Sequence, residues 1–111
     1  MRVDRESLRQ GLVRTSILSK EKYRGVRLVL GDDTVTIRSE NPEQEHAEEE
    51  LSAEYNGEAL EIGFNAGYML DAVGAIEQPG MEVHVTDANA SALVKGEGET
   101  QARYVIMPMR L

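Results

Sequence analysis

Two histidines, His46 and His84, are the side chains best suited to moving protons near neutral pH. Each stands on a period-two stretch, opposite the apolar residues, and neither has a nucleophile at a recognisable spacing. Both read as solvent-facing groups. The acids Glu43, Glu45, Glu48, Glu49 and Glu50 carry the oxygen donors that hard cations prefer. Alternation along a strand divides them between two faces, however, and such sites need converging oxygens around a sharp turn. A charged edge strand that discourages sheet-to-sheet pairing accounts for them more simply. Gly96-Glu97-Gly98 is followed by no helix and carries an acid where a phosphate loop would avoid one. The chain has no cysteine, which excludes disulfides, thiolate zinc sites and thiol catalysis. These residues assemble into no catalytic group, no metal site and no cofactor site, so the expectation is a non-enzyme.

The C-terminus is a different matter. Tyr104-Val105-Ile106-Met107-Pro108-Met109-Arg110-Leu111 sets apolar groups at a chain end, where polar, frayed residues are usual. Pro108 has no N–H to give, so regular pairing should stop there. Unbranched methionines beside a proline make an adaptable surface that accepts related apolar ligands. The competing reading is a core strand whose last residues fold back over the sheet.

Several elements must position these groups. A helix is expected from about Asp4 to Thr15, with Asp4 as N-cap, Leu8 and Leu12 on one face, and Arg2, Arg5 and Arg9 along a neighbouring stripe. Val26, Leu28 and Leu30, then Val35 and Ile37, alternate across the turn Gly31-Asp32-Asp33 as a β-hairpin. Residues 45–55 keep period two, with Ala47, Leu51, Ala53 and Tyr55 on one face and Glu49 intruding at an exposed margin. Asn56-Gly57 reads as a second hairpin turn, into Leu60, Ile62 and Phe64. Asn65 should cap a second helix, over Met69, Val73 and Ile76, which Pro79-Gly80 closes. Strands at Met81–Val85, Ser91–Val94 and Arg103–Met107 complete the chain, with a turn at residues 96–99. The order helix, four strands, helix, three strands implies an α+β domain with two helices packed on one side of an antiparallel sheet.

With 111 residues the chain fits one domain and one core. No apolar run approaches the roughly 20 residues that span a bilayer, and no signal-like segment opens the chain, so a cytoplasmic setting without membrane contact is expected. The formal charge is −8, but it is unevenly spread. Residues 1–30 carry eight basic groups against three acids, while residues 31–111 carry four against 17. The molecule as a whole should repel nucleic acid, yet one face could still meet phosphates.

These segments, read together, resemble a known family. Ile17-Leu18-Ser19 through Tyr23-Arg24-Gly25-Val26-Arg27-Leu28, Asn41-Pro42-Glu43-Gln44-Glu45, Glu61-Ile62-Gly63-Phe64-Asn65 with Tyr68 and Leu70-Asp71, and the terminal Met107-Pro108-Met109-Arg110-Leu111 are similar to the bacterial DNA polymerase III beta subunit (sliding clamp) family. The likeness covers nearly the whole chain but only the third, last domain of that subunit. It implies that residues 1–111 form a single clamp domain whose first strand, at Met1–Val3, is largely missing.

The resemblance also implies a mechanism. Two three-domain subunits join head to tail into a ring around duplex DNA, a heterologous interface whose rotation closes. Helices line the hole, and phosphate contacts without sequence information let the ring slide. Arg2, Arg5, Arg9 and Arg14 would face the DNA. Ile17 and Leu18, with the acids Glu43, Glu45, Glu48 and Glu49, would form the contact between subunits; His46 stands where the family pattern has an acid. Asn65, Tyr68, Ser91, Val105, Ile106, Met107, Pro108, Met109 and Arg110, with Leu111 close by, would line a pocket for short peptides of DNA polymerase, clamp-loader and repair proteins. Asn89 replaces an aliphatic residue there, and the pocket's other wall belongs to the preceding domain. The alternative from another class is a stand-alone α+β domain that binds a small ligand or a metal, which tight, saturable calcium or magnesium uptake would reveal.

Overall fold

A computed structural model describes residues 1–16, 25–40, 46–87, 90–99 and 103–109. Ile17, Leu18, Glu43, Glu45, Asn89, Arg110 and Leu111 lie outside the described residues.

The chain opens on a three-residue strand, β1 (Arg2–Asp4), and passes directly into helix α1 (Arg5–Ser16). Asp4 caps that helix as its sequence implies: one carboxylate oxygen accepts from the Ser7 amide and from the Ser7 hydroxyl, both at 2.9 Å. Both contacts stabilise the ionised form and hold the Asp4 carboxyl below its ordinary value, the amide bond more than the hydroxyl. Leu8 and Leu12 are fully buried from one face of α1. Gly11 faces the sheet, where an added Cβ would stand 2.8 Å from the tip of Ile37, so the missing side chain permits the helix's close approach.

The hairpin β2 (Gly25–Gly31) and β3 (Thr34–Glu40) turns through Asp32 and Asp33. Both adopt left-handed φ angles, 47° and 57°, as a two-residue turn matching strand twist requires. Strand β4 (His46–Ser52) pairs with β3, and β5 (Leu60–Asn65) pairs with β2, giving one antiparallel sheet in the order β4-β3-β2-β5. Asn56-Gly57 is therefore not a hairpin turn. It lies in the connection that carries the chain from one edge of this sheet to the other, because β5 pairs with β2 and not with β4. The register shows the reason: Phe64, Ile62 and Leu60 stand opposite Val26, Leu28 and Leu30, an apolar match that the glutamates of β4 do not offer.

Helix α2 (Ala66–Ala75) follows, and then β6 (Gly80–His84), β7 (Ala92–Gly96) and β8 (Tyr104–Ile106). With β1 they form a second antiparallel sheet, β1-β6-β7-β8. The α+β class with two helices thus holds, with the strands divided between two four-stranded sheets. The helices pack against each other; α1 touches β1, β3 and β4, and α2 touches β5 and β8, so each helix contacts both sheets. One core cluster joins Leu8, Leu12, Leu28, Ile37, Phe64, Met69, Met81 and Val94. Two isolated bridges tie the sheets at their edges, Arg2 with Glu54 and Gly63 with Met109.

Candidate functional site

The C-terminal segment leaves its sheet in two steps. Strand β8 pairs with β7 as far as Ile106, opposite Ala92. Beyond Pro108, the Met109 amide donates to the Gly63 carbonyl at 2.7 Å, so the chain end crosses from β8 to β5 of the other sheet. Alternation then decides the side chains. Ile106 turns inward and is buried, whereas Val105 and Met107 turn outward and stay 66% and 69% exposed. Pro108 prevents the strand from continuing, and the crossing holds both outward groups over open space.

Helix α2 supplies the facing wall. The Asn65 side chain accepts from the Tyr68 amide at 3.1 Å and caps the helix. Met69, Ala72 and Val73 bury one face, which leaves Tyr68 67% exposed. Between α2 and β8 runs a cleft of about 780 Å³, lined by Asn65, Tyr68, Asp71, Ala72, Arg103, Tyr104 and the segment Val105–Met109. Such a cleft, largely apolar with a few polar groups at its margins, suits an extended peptide. Seven of the ten residues expected to form a peptide pocket line this cleft. Ser91 does not; it stands just before β7, the strand next to β8, and its hydroxyl donates to the Met107 sulfur at 3.1 Å. Arg110 and Leu111 lie outside the described residues. Asp71, Ala72, Arg103 and Tyr104 line the cleft without having been anticipated. Asp71 and Ala72 follow Tyr68 by three and four positions, so a helix that presents Tyr68 presents them too.

The arginines expected to face DNA divide by position. Arg2 is on β1, not on the helix, because Arg2–Asp4 pair with β6 and α1 starts only at Arg5. Its guanidinium lies 3.9 Å from both Glu54 and Glu97. Arg9 grips Glu6 with two nitrogens and holds that carboxyl down to about 2. Arg14, five residues further along α1, falls on another side of the helix at about 100° per residue and pairs with Glu49 of β4. Arg5 keeps its Nε buried with no hydrogen-bond partner. Of the expected rim acids, Glu49 is thus engaged by Arg14, and Glu48 accepts from Arg38 at 2.8 Å. The pairs of Arg2 and Arg38 are exposed, so each is weak and exchangeable, whereas Glu6, Arg9 and Glu49 are partly buried. His84 is likewise exposed, 3.2 Å from Glu82.

A family model described as the DNA polymerase III beta subunit, C-terminal domain, matches residues 1–110. The beta sliding clamp of Pseudomonas aeruginosa PAO1 is 51% identical over 108 residues, 97% of this chain and 29% of that protein. The beta sliding clamp of Escherichia coli K12 is 43% identical over 104 residues, 94% of this chain and 28% of that protein. A crystal structure of the DNA polymerase sliding clamp from Pseudomonas aeruginosa with ligand superposes with a TM-score of 0.96 at 50% identity, over 99% of this chain and 30% of that one. The chain spans under a third of the length of the curated relatives it matches.

Proposed function

The chain belongs to the family of the DNA polymerase III beta subunit, C-terminal domain, and on that premise we propose that it acts as one domain of a replication processivity factor. In this reading it is a single clamp domain, with a short first strand, of a ring that encircles duplex DNA. It carries no catalytic chemistry. Its work is to hold partners on DNA by docking linear motifs of polymerase, clamp-loader and repair proteins. The relatives' shared name, beta sliding clamp, gives no support to a stand-alone metal- or ligand-binding domain.

The open cleft between α2 and β8 carries the proposal. Tyr68, Val105 and Met107 expose large apolar surfaces around it, a cost that a monomeric surface usually avoids unless a partner covers it. The preceding domain would supply the other wall, so this chain alone should hold a peptide weakly. Arg2, Arg5, Arg9 and Arg14 would meet phosphates without reading sequence, the first and the last two by giving up their acid partners. Ile17 and Leu18, with Glu43, Glu45, Glu48 and Glu49, would form the head-to-tail contact between subunits. The role belongs in the cytoplasm, with the DNA; no helix of the described residues is long and apolar enough to cross a membrane.

The test is the affinity of a clamp-binding peptide for this chain and for Tyr68→Ala. Loss of an exposed aromatic anchor should weaken binding about tenfold or more while leaving the melting temperature nearly unchanged. Equal affinities would remove the cleft from the account.

A further inference from the structure

The described arginines other than Arg5 and Arg103 each have an acid partner: Arg2 with Glu54 and Glu97, Arg9 with Glu6, Arg14 with Glu49, Arg27 with Glu61, and Arg38 with Glu48. Arg103 is exposed and makes no ion pair among the described residues, although it lines the cleft. It precedes Val105 by two positions and Met107 by four, all three exposed, while Tyr104 and Ile106 between them are more buried. Arg103 and Met107 flank β8 on either side of Val105, and the alternation of exposure puts the three in one outward row, with about 7 Å between successive members of an extended chain. An extended segment whose apolar side chains cover Val105 and Met107 brings the side chain two positions from its anchor, on the same face, over the guanidinium.

Resting on the peptide-docking reading of the same cleft, we infer that Arg103 selects partner segments carrying a carboxylate two positions from their apolar anchor, on the same face. A guanidinium offers a planar fork that a carboxylate accepts at two oxygens. One carboxylate is favoured, not an acidic run. The chain's charge of −8 repels acidic segments at a distance, and Asp71 lines the same cleft. Arg103 is thus a specificity-determining residue, and Tyr68, Val105 and Met107 supply the affinity.

Two acetylated, amidated peptides of identical apolar sequence, one with Asp two positions from the anchor and one with Asn there, test the assignment. Their dissociation constants for the 111-residue chain and for Arg103→Ala are read by fluorescence anisotropy. The chain should prefer the Asp peptide by about two- to fivefold, as an exposed charge pair allows, and the preference should shrink with added salt. Arg103→Lys should keep part of it, and Arg103→Ala should abolish it. A preference that survives Arg103→Ala, or no preference at all, overturns the role of Arg103 while leaving the cleft intact as a docking site. Failure of both peptides to bind in the cleft overturns this inference together with the docking reading.

Discussion

Tyr68 and Met107 each leave about two thirds of their surface in water, and the local causes are plain. The Asn65 cap fixes where α2 begins, and the burial of Met69, Ala72 and Val73 fixes its rotation, so Tyr68 has no inward option. Met107, the first residue beyond β8, follows the buried Ile106 and turns to the opposite, exposed side. At the other end of the chain, the ion pair of Glu6 with Arg9 makes a sharper claim. Its two-point grip holds the Glu6 carboxyl at about 2 instead of its ordinary 4.5. A depressed folded-state value contributes stability that is present above the unfolded value and lost as pH falls through the folded one. The start of α1 should therefore loosen between about pH 4.5 and 2. A carboxyl NMR titration of Glu6 should show a midpoint near 2; an ordinary midpoint would mean that Arg9 turns away in solution.

At the scale of elements, apolar register decides what turn signals alone do not. The Asp32-Asp33 hairpin was legible because two polar residues that tolerate left-handed φ separate matched alternating runs. Asn56-Gly57 carries an equally strong turn signal, yet it ends in a crossing connection. A turn dipeptide fixes where the chain bends, but strand partners are chosen by cross-strand burial. The division into two sheets was hidden for a similar reason: period two tells which face of a strand is inside, not which sheet it joins. Both helices, their N-caps and their buried faces could be read directly, since capping and 3.6-residue periodicity are local; the end of α2 could not, because the helix stops at Ala75 with Ile76 as an extended C-cap, before Pro79-Gly80. The cleft's β8 wall was visible as an apolar chain end, whereas assigning Tyr68 and Asn65 to its opposite wall relied on the family resemblance. Phe64 connects β5 to the common core and is fully buried. Phe64→Ala should cost about 3–5 kcal/mol, read as a lowered denaturant midpoint. A loss below 1 kcal/mol would show that β5 is not integral to the core.

Across the whole molecule, the edge bridges Arg2–Glu54 and Gly63–Met109 bind two sheets into one body, and Met109 of the second also lines the cleft. Stability and the docking surface thus share the C-terminal residues. On the proposed ring, a three-domain clamp carrying this domain with Ile17 and Leu18 both changed to Ala should sediment as monomers. Intact dimers would refute the proposed subunit contact and leave the cleft untouched. The central claim is that the outward row of β8, facing Tyr68, is where partner proteins land. The most direct measurement is an amide NMR map of this chain titrated with a clamp-binding peptide. The largest shifts should fall on Tyr68, Asp71 and Val105–Met109 (Pro108 has no amide). Shifts confined to the acidic strand β4, with those residues unmoved, would contradict the account.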